Sequence, residues 1–287
     1  MSLVGALDDI RVRVSERVGA CAEGDHVCGV VDAPEQLADC ITSWVRAGLE
    51  AGRRVVCVDR AGEPRYPAWL AEAGIDWAAA VDAGQLVLLP TDRAYLTDGV
   101  FDVERCLAQL TSFVEHSLAA GYPAVSMAAD AGVAFEVFPD LDSVAAYEDG
   151  FEQLCRTYPV SGLCIYERVA FESALPTVAR SHPRTVADDN FTGRVDGDRL
   201  RLTGELDLSS RTLLEALLAT PPSGPDVVVD VRDVTFIDVA ATAALVAAAR
   251  RWAPRVRMRV LGASAQLRTI VSVGGWANDL DLIDEDR

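Results

Sequence analysis

The chain contains no lysine, and all 26 basic residues among its 287 are arginines. Schiff-base chemistry and a lysine-containing phosphate loop are therefore excluded, because both need a lysine amino group. Histidine is also scarce, with three residues, and no G-x-S-x-G motif accompanies them, so a serine hydrolase is unsupported. We expect a protein without enzymatic activity.

Other absences bear on the compartment and on the partners. No apolar run reaches the roughly 18 residues that span a bilayer, and Asp8 and Asp9 interrupt the stretch where a signal peptide would be apolar. We therefore expect a cytoplasmic protein that does not bind membranes. Its seven cysteines, none in a C-x-x-C pair, should stay reduced. The net charge of −18 repels phosphate groups, so nucleic acid is not an expected partner.

Strand-like and helix-like segments alternate along residues 1–183. HVCGVV (26–31), RRVVCVD (53–59) and GLCIYERV (162–169) are typical of buried strands, and amphipathic stretches of ten or more residues separate such segments. Residues 1–20 have apolar side chains at helical spacing and predict an N-terminal helix. The pattern predicts a three-layer α/β domain with a mainly parallel sheet.

A polar stretch after Pro183 marks a boundary, and we predict a linker over 184–190. Residues 191–287 then form a second, smaller α/β domain. Two segments in it combine a strand with a following helix, RLRLTGELDLSSRTLLEALL (199–218) and VVVDVRDVTFIDVAATAAL (227–245).

These two segments resemble those of the STAS domain, the anti-sigma-factor-antagonist fold, over residues 191–283. Members usually read Asp-Ser-Ser-Gly-Leu after the second strand, and a kinase partner phosphorylates the second serine. Here Asp238 is kept, but Ala240 stands at the phosphoacceptor position and has no hydroxyl group. The resemblance implies a surface for an anti-sigma factor. Its predicted residues are Asp207, Ser209, Ser210, Asp238, Ala240 and Thr242.

The two aspartates also have a purely structural interpretation, because acidic side chains stabilise helix N-termini. Ser209, Ser210 and Thr242 supply hydroxyl groups near the lost phosphosite, although none stands at its position.

Residues 26–183 carry short motifs in a characteristic order. They are His26-x-Cys28, RAGLEAG (46–52), VVCV (55–58), GQL (84–86), Tyr95, Gly99-x-Phe101-Asp102, Gly121-Tyr122, Tyr147-Glu148, Leu163-Cys164-x-Tyr166 and His182-Pro183. The series resembles the MEDS domain, a DcmR-type sensory module of methanogens, methylotrophs and actinobacteria, and implies a bacterial, actinobacterial source. That family looks like a degenerate relative of RecA-type ATPases. The turn after the first strand holds Asp32 and Glu35, however, and these would repel a triphosphate.

Six residues of the first domain are candidates for a ligand site: His26, Cys28, Glu148, Cys164, Tyr166 and His182. Two residues apart on a strand, His26 and Cys28 point to one face, and we predict a shared cavity beyond the C-terminal strand ends. Buried cysteines with locally satisfied histidines are the favoured alternative, and a tetrahedral zinc site is another. We expect no bound metal and no cofactor.

Together these features predict a bacterial signalling protein. Its MEDS-like domain would sense a small molecule or a partner, and would control a STAS domain that binds an anti-sigma factor or a related protein. The alternative is a non-catalytic scaffold whose STAS domain builds homo- or hetero-oligomers.

Overall fold

The computed structural model describes residues 14–21, 24–171, 174–187, 191–219 and 221–284. The chain divides into two compact units, Met1–Ala174 and Leu175–Arg287. The helix predicted over residues 1–20 is described only as α1, Val14–Gly19, and the rest of that prediction lies outside the described residues. Among the described residues, no helix is long and apolar enough to cross a bilayer.

The first unit is built on a parallel sheet. Its strands in chain order are β1 (His26–Val31), β2 (Arg54–Asp59), β3 (Leu86–Pro90), β4 (Leu96–Thr97), β5 (Val100–Phe101), β6 (Val125–Asp130) and β7 (Val160–Glu167). The sheet has the order β1-β7-β6-β2-β3, with every neighbouring pair parallel, while β4 and β5 form a separate hairpin.

Three long helices and several short ones connect these strands. They are α2 (Pro34–Glu50), α3 (Tyr66–Glu72), α4 (Trp77–Asp82), α5 (Thr91–Tyr95), α6 (Val103–Ala119), α7 (Ala131–Ala134), α8 (Leu141–Thr157) and α9 (Arg168–Phe171). Asp102 and Asp140 cap α6 and α8, because their carboxylates accept hydrogen bonds from backbone N–H groups of the first turn.

The helices cover both faces of this sheet. Successive residues of a strand point to opposite faces, so Ser161 and Gly162 of β7 mark the two sides. On the Ser161 side, Ser126 of β6 lies against Gly48 of α2, where an added Cβ would be 3.4 Å from the Ser126 Cβ. On the other side, Gly162 lies directly under the Phe151 ring of α8. The predicted three-layer α/β fold is confirmed.

The second unit contains a mixed sheet with the order β8-β9-β10-β11-β12-β13. Its elements are α10 (Leu175–Ser181), β8 (Arg184–Ala187), β9 (Phe191–Asp196), β10 (Arg199–Leu206), α11 (Arg211–Leu217), β11 (Asp226–Ile237), α12 (Val239–Trp252), β12 (Arg257–Leu261), α13 (Ala265–Val273) and β13 (Asp281–Ile283). The pairs β8–β9 and β9–β10 are antiparallel, and the later pairs are parallel.

The linker predicted over 184–190 is wrong at Arg184–Ala187. These residues form β8, which pairs with β9, and Val186 and Ala187 are fully buried. Only two of the four residues of β8 are apolar and charged residues lie nearby, so the sequence shows no clear strand pattern here. Residues 188–190 lie outside the described part of the chain.

Candidate functional site

Three side chains from distant parts of the sequence meet inside the first unit. His26 begins β1, Cys164 lies in β7 and Glu148 lies in α8. The His26 Nε2 atom is 3.2 Å from Glu148 Oε2 and 3.7 Å from Cys164 Sγ, and Cys164 Sγ is 3.4 Å from Glu148 Oε2. All three residues are buried. We call this group the donor triangle.

The strand register explains the meeting. In the parallel pair of β1 and β7, His26 is opposite Gly162 and Cys28 is opposite Cys164. Side-chain alternation then directs these four residues to the face that α8 covers. Because Gly162 has no side chain, the His26 ring fits beside it, with Cδ2 3.3 Å from where a Cβ would stand. The shared face of His26 and Cys28 is the one their spacing predicts.

Further polar groups hold the donor triangle from outside. The Tyr166 hydroxyl donates a 2.7 Å hydrogen bond to Glu148 Oε1, and Glu152 Oε2 lies 3.3 Å from His26 Nδ1. Burial by itself lowers the pKa of His26, but hydrogen bonds and charges from Glu148 and Glu152 outweigh it and raise that pKa. Burial and the charge of Glu148 raise the pKa of the Cys164 thiol well above its ordinary value.

The structure therefore brings together four of the six predicted ligand residues: His26, Glu148, Cys164 and Tyr166. Cys28 is fully buried on the same face, but its sulfur is not a member of the donor triangle. His182 belongs to the second unit, where it is buried with Nδ1 2.6 Å from the carbonyl oxygen of Val178. A locally bonded histidine was the alternative interpretation of this residue.

Two small cavities adjoin the donor triangle. One of about 10 Å³ has Glu148, Cys164 and Tyr166 in its wall, and the other, of about 50 Å³, is bordered by Cys164. Tyr95 and Tyr147 line both cavities. The predicted shared cavity is thus only partly right. His26 and Cys28 line neither of the two cavities, and both cavities lie between the sheet face and α8.

The aromatic wall of these cavities was missed as a ligand feature. The rings of Tyr95 and Phe138 are 5.1 Å apart, and those of Tyr95 and Tyr147 are 5.6 Å apart, in edge-to-face arrangements. The signal available in the sequence was the aromatic residue directly before Glu148 on a helix.

A larger cavity of about 210 Å³ does lie at the C-terminal strand ends, where the prediction placed the site. Both arginines in its wall are paired with carboxylates. Arg65 contacts Asp130 at 2.7 Å, and Arg60 contacts Glu136 at 2.5 Å. In the turn after β1, Asp32 contacts Arg168 at 2.7 Å. This turn therefore presents a carboxylate where a phosphate-binding loop would present backbone N–H groups.

In the second unit, two acidic turns lie side by side. The Asp238 backbone N–H donates to the carbonyl oxygen of Leu206, which joins the end of β11 to the end of β10. Asp238 caps α12, with Oδ1 accepting from the Ala241 N–H at 2.7 Å. Asp207 Oδ1 accepts from the Ser209 N–H at 2.9 Å. Both aspartates have the structural role that helix and turn geometry predicts.

The hydroxyl groups near these turns differ in access. Thr242 and Ser210 are fully buried, and their hydroxyls donate to the carbonyl oxygens of Asp238 and Asp207. Ser209 is exposed and donates to an Asp207 carboxylate oxygen. Ala240 lies in the first turn of α12 and is partly exposed. Of the three predicted substitutes for the lost phosphosite, Ser209 alone presents an exposed side chain.

Apolar side chains surround the same turns, and sequence reasoning missed them. Leu208 is 74% exposed, Val239 is 60% exposed and Phe236 is 42% exposed. Each lies within two residues of Asp207 or Asp238, so we call the three residues the apolar turn patch. An apolar residue directly after each aspartate was the signal that could have found it.

The two units are thus an α/β domain with a buried polar cluster and a small α/β domain with an exposed turn surface. The family model described as "MEthanogen/methylotroph, DcmR Sensory domain", MEDS, matches residues 25–183, more than half of the chain, and the chain belongs to this family. The model described as "Mlab, STAS domain" matches residues 191–284. The predicted order of a MEDS domain followed by a STAS domain is confirmed.

Among solved structures, one entitled "Structure of the Anti-Sigma Factor Antagonist SpoIIAA in its Unphosphorylated Form" is similar to part of the chain. The two are 17% identical, with 33% of this chain and 89% of that chain covered and a TM-score of 0.27. No curated protein matches the chain.

Proposed function

We propose that this is a non-catalytic signalling protein in which the MEDS domain senses a small molecule and controls binding of a protein partner by the STAS domain. The observation that carries the proposal is the apolar turn patch on the STAS domain. Exposed large apolar side chains grouped at one place mark interaction surfaces. The partner we infer is an anti-sigma factor or a related signalling protein, and the protein acts in the cytoplasm.

The STAS domain should respond to its input without phosphorylation at the usual position. Ala240 has no oxygen for a phosphoryl group, and the hydroxyls of Ser210 and Thr242 are buried. Ser209 has an exposed hydroxyl but does not stand at the usual position, and we infer that control comes from the MEDS domain of the same chain.

The size of the cavities limits what the MEDS domain senses. A site for a drug-sized ligand has about 300–1,000 Å³, whereas the larger cavity beside the donor triangle has about 50 Å³. The ligand therefore has few non-hydrogen atoms and an apolar part facing Tyr95 and Tyr147. His182 remains a sequence prediction for this function.

Partner binding is tested by affinity capture with the full-length protein and the anti-sigma factors of its host. We expect Leu208→Asp and Val239→Asp to abolish capture, because an unpaired charge then enters an apolar interface. Val273→Asp is the matched control, since Val273 is an 84% exposed apolar residue of the same domain outside the patch. Capture that survives both patch variants refutes the proposed surface.

The scaffold alternative has a different outcome in the same experiment. Self-assembly without recovery of any anti-sigma factor would favour it. Analytical ultracentrifugation of the wild type and the Leu208→Asp variant then shows whether the apolar turn patch mediates contact between copies of the chain.

A further inference from the structure

We propose that the donor triangle of the MEDS domain is a binding site for a divalent transition metal of the zinc class, with His26 Nε2, Glu148 Oε2 and Cys164 Sγ as ligands. The proposal goes beyond the proposed function and does not depend on partner binding. It also departs from the expectation from sequence that the chain holds no metal.

The distances between the donor atoms fit one tetrahedral ion. Zinc binds imidazole nitrogen and carboxylate oxygen at about 2.0–2.1 Å and thiolate sulfur at about 2.3 Å. Tetrahedral angles with those lengths separate nitrogen from oxygen by about 3.3 Å, nitrogen from sulfur by about 3.6 Å and oxygen from sulfur by about 3.5 Å. The corresponding distances in the donor triangle are 3.2, 3.7 and 3.4 Å.

The residues around the donor triangle orient its members as metal ligands need. Ligating histidines usually donate their other ring N–H to a carboxylate, and ligating carboxylates are themselves hydrogen-bonded. Glu152 lies 3.3 Å from His26 Nδ1, and Tyr166 donates to the second oxygen of Glu148. With these contacts on Nδ1 and Oε1, the two atoms that face each other inside the triangle are His26 Nε2 and Glu148 Oε2, 3.2 Å apart.

Charge balance gives a second reason. On binding a divalent ion, Cys164 loses its thiol proton to solvent and His26 is neutral, with its one ring proton on Nδ1. The two positive charges of the ion then equal the two negative charges of the Glu148 carboxylate and the Cys164 thiolate. The mixed set of nitrogen, oxygen and sulfur donors suits zinc and similar ions, whereas magnesium and calcium prefer oxygen ligands alone.

The test uses the full-length protein, treated with a chelator under reducing conditions and then titrated with Zn²⁺ or Co²⁺. We expect one ion per chain, and a Co²⁺ complex whose near-ultraviolet absorption shows a bond from thiolate to metal. Cys164→Ala should remove that absorption and weaken binding by more than 100-fold, beyond the roughly 10- to 100-fold typical of residues that only orient a ligand.

Two further variants keep the result interpretable. Cys28→Ala is the matched control, because Cys28 is also buried on the same face and lies opposite Cys164 in the register. It should leave the affinity and the absorption unchanged. Glu152→Gln should weaken binding by roughly 10- to 100-fold and keep the thiolate absorption, because Glu152 only orients His26.

Three results would overturn the proposal. They are no stoichiometric binding by the wild type, a Co²⁺ complex without thiolate absorption, and an equal loss of affinity in Cys28→Ala and Cys164→Ala. Because the STAS domain carries none of the ligands, partner capture by the wild type is a separate result, and failure of either proposal can be told from failure of the other.

Discussion

Asp230 gives a prediction in which the stability of the second domain depends on pH. This aspartate lies in β11 and its side chain is 1% exposed. Arg232 contacts both of its oxygens, at 2.9 and 2.7 Å, and Arg199 contacts one at 3.2 Å. Hydrogen bonds and charge from Arg232, with a further hydrogen bond from Arg199, lower the pKa of Asp230 to about 2, against a burial effect in the opposite direction.

The sign and size of the effect follow from linkage. A carboxyl group with a depressed pKa in the folded state contributes stability above its unfolded pKa, here 3.8, and loses it as the pH falls toward about 2. At roughly 1.4 kcal/mol per unit of pKa, the shift of the Asp230 pKa from 3.8 to about 2 corresponds to about 2 kcal/mol. Arg232 is 50% exposed, so solvent screens part of its share, and we expect Arg232→Gln to cost about 1 kcal/mol at pH 7.

Two measurements on the full-length protein check this. A carbon-13 NMR titration should place the pKa of Asp230 near 2 in the wild type and closer to 3.8 in Arg232→Gln. Hydrogen exchange of residues 226–237 should report the loss of stability. Arg250→Gln is the control, because Arg250 pairs with Asp279 at the surface and such pairs contribute about 0–1 kcal/mol. A wild-type pKa near 3.8 would refute the reasoning.

Three further predictions concern the two domains. Gly162→Ala should lower the free energy of unfolding of the first domain by about 1–3 kcal/mol, because the new Cβ would lie 2.1 Å from a Phe151 ring carbon. Gly29→Ala, whose added Cβ has its nearest neighbour at 3.3 Å, should destabilise the domain less. Equal melting temperatures of the two variants would contradict this. Incubation with host anti-sigma kinases and ATP should leave residue 240 unmodified, and Ala240→Ser should restore the phosphosite in mass spectrometry. Stoichiometric phosphate on native Ser209 would instead show that the acceptor has moved. Calorimetry with millimolar Mg-ATP should give no heat, because the turn after β1 is acidic, and micromolar binding would contradict that expectation.

The long elements of the fold were predictable because their signals are local. Short, nearly continuous apolar runs identified β1 and β7, amphipathic stretches at helical spacing identified α2, α6 and α8, and the alternation of such segments predicted a parallel sheet. The short elements α4, α5 and β8 were not predicted. A helix of five or six residues makes fewer than two turns. A strand of four residues beside charged groups likewise has too few positions for a periodic signal.

The sequence by itself determined which chemical groups the candidate site contains. The spacing of His26 and Cys28 puts both on one face of a strand, and the missing hydroxyl at Ala240 is a fact of composition that no fold can change. Only the tertiary structure decided which of these groups meet. His26 and Cys164 are 138 residues apart in the sequence, and it is the register of β1 against β7 that brings them together. The position of α8 across that face then brings Glu148 to both. Such contacts depend on how elements pair and pack over long distances, so no local pattern encodes them.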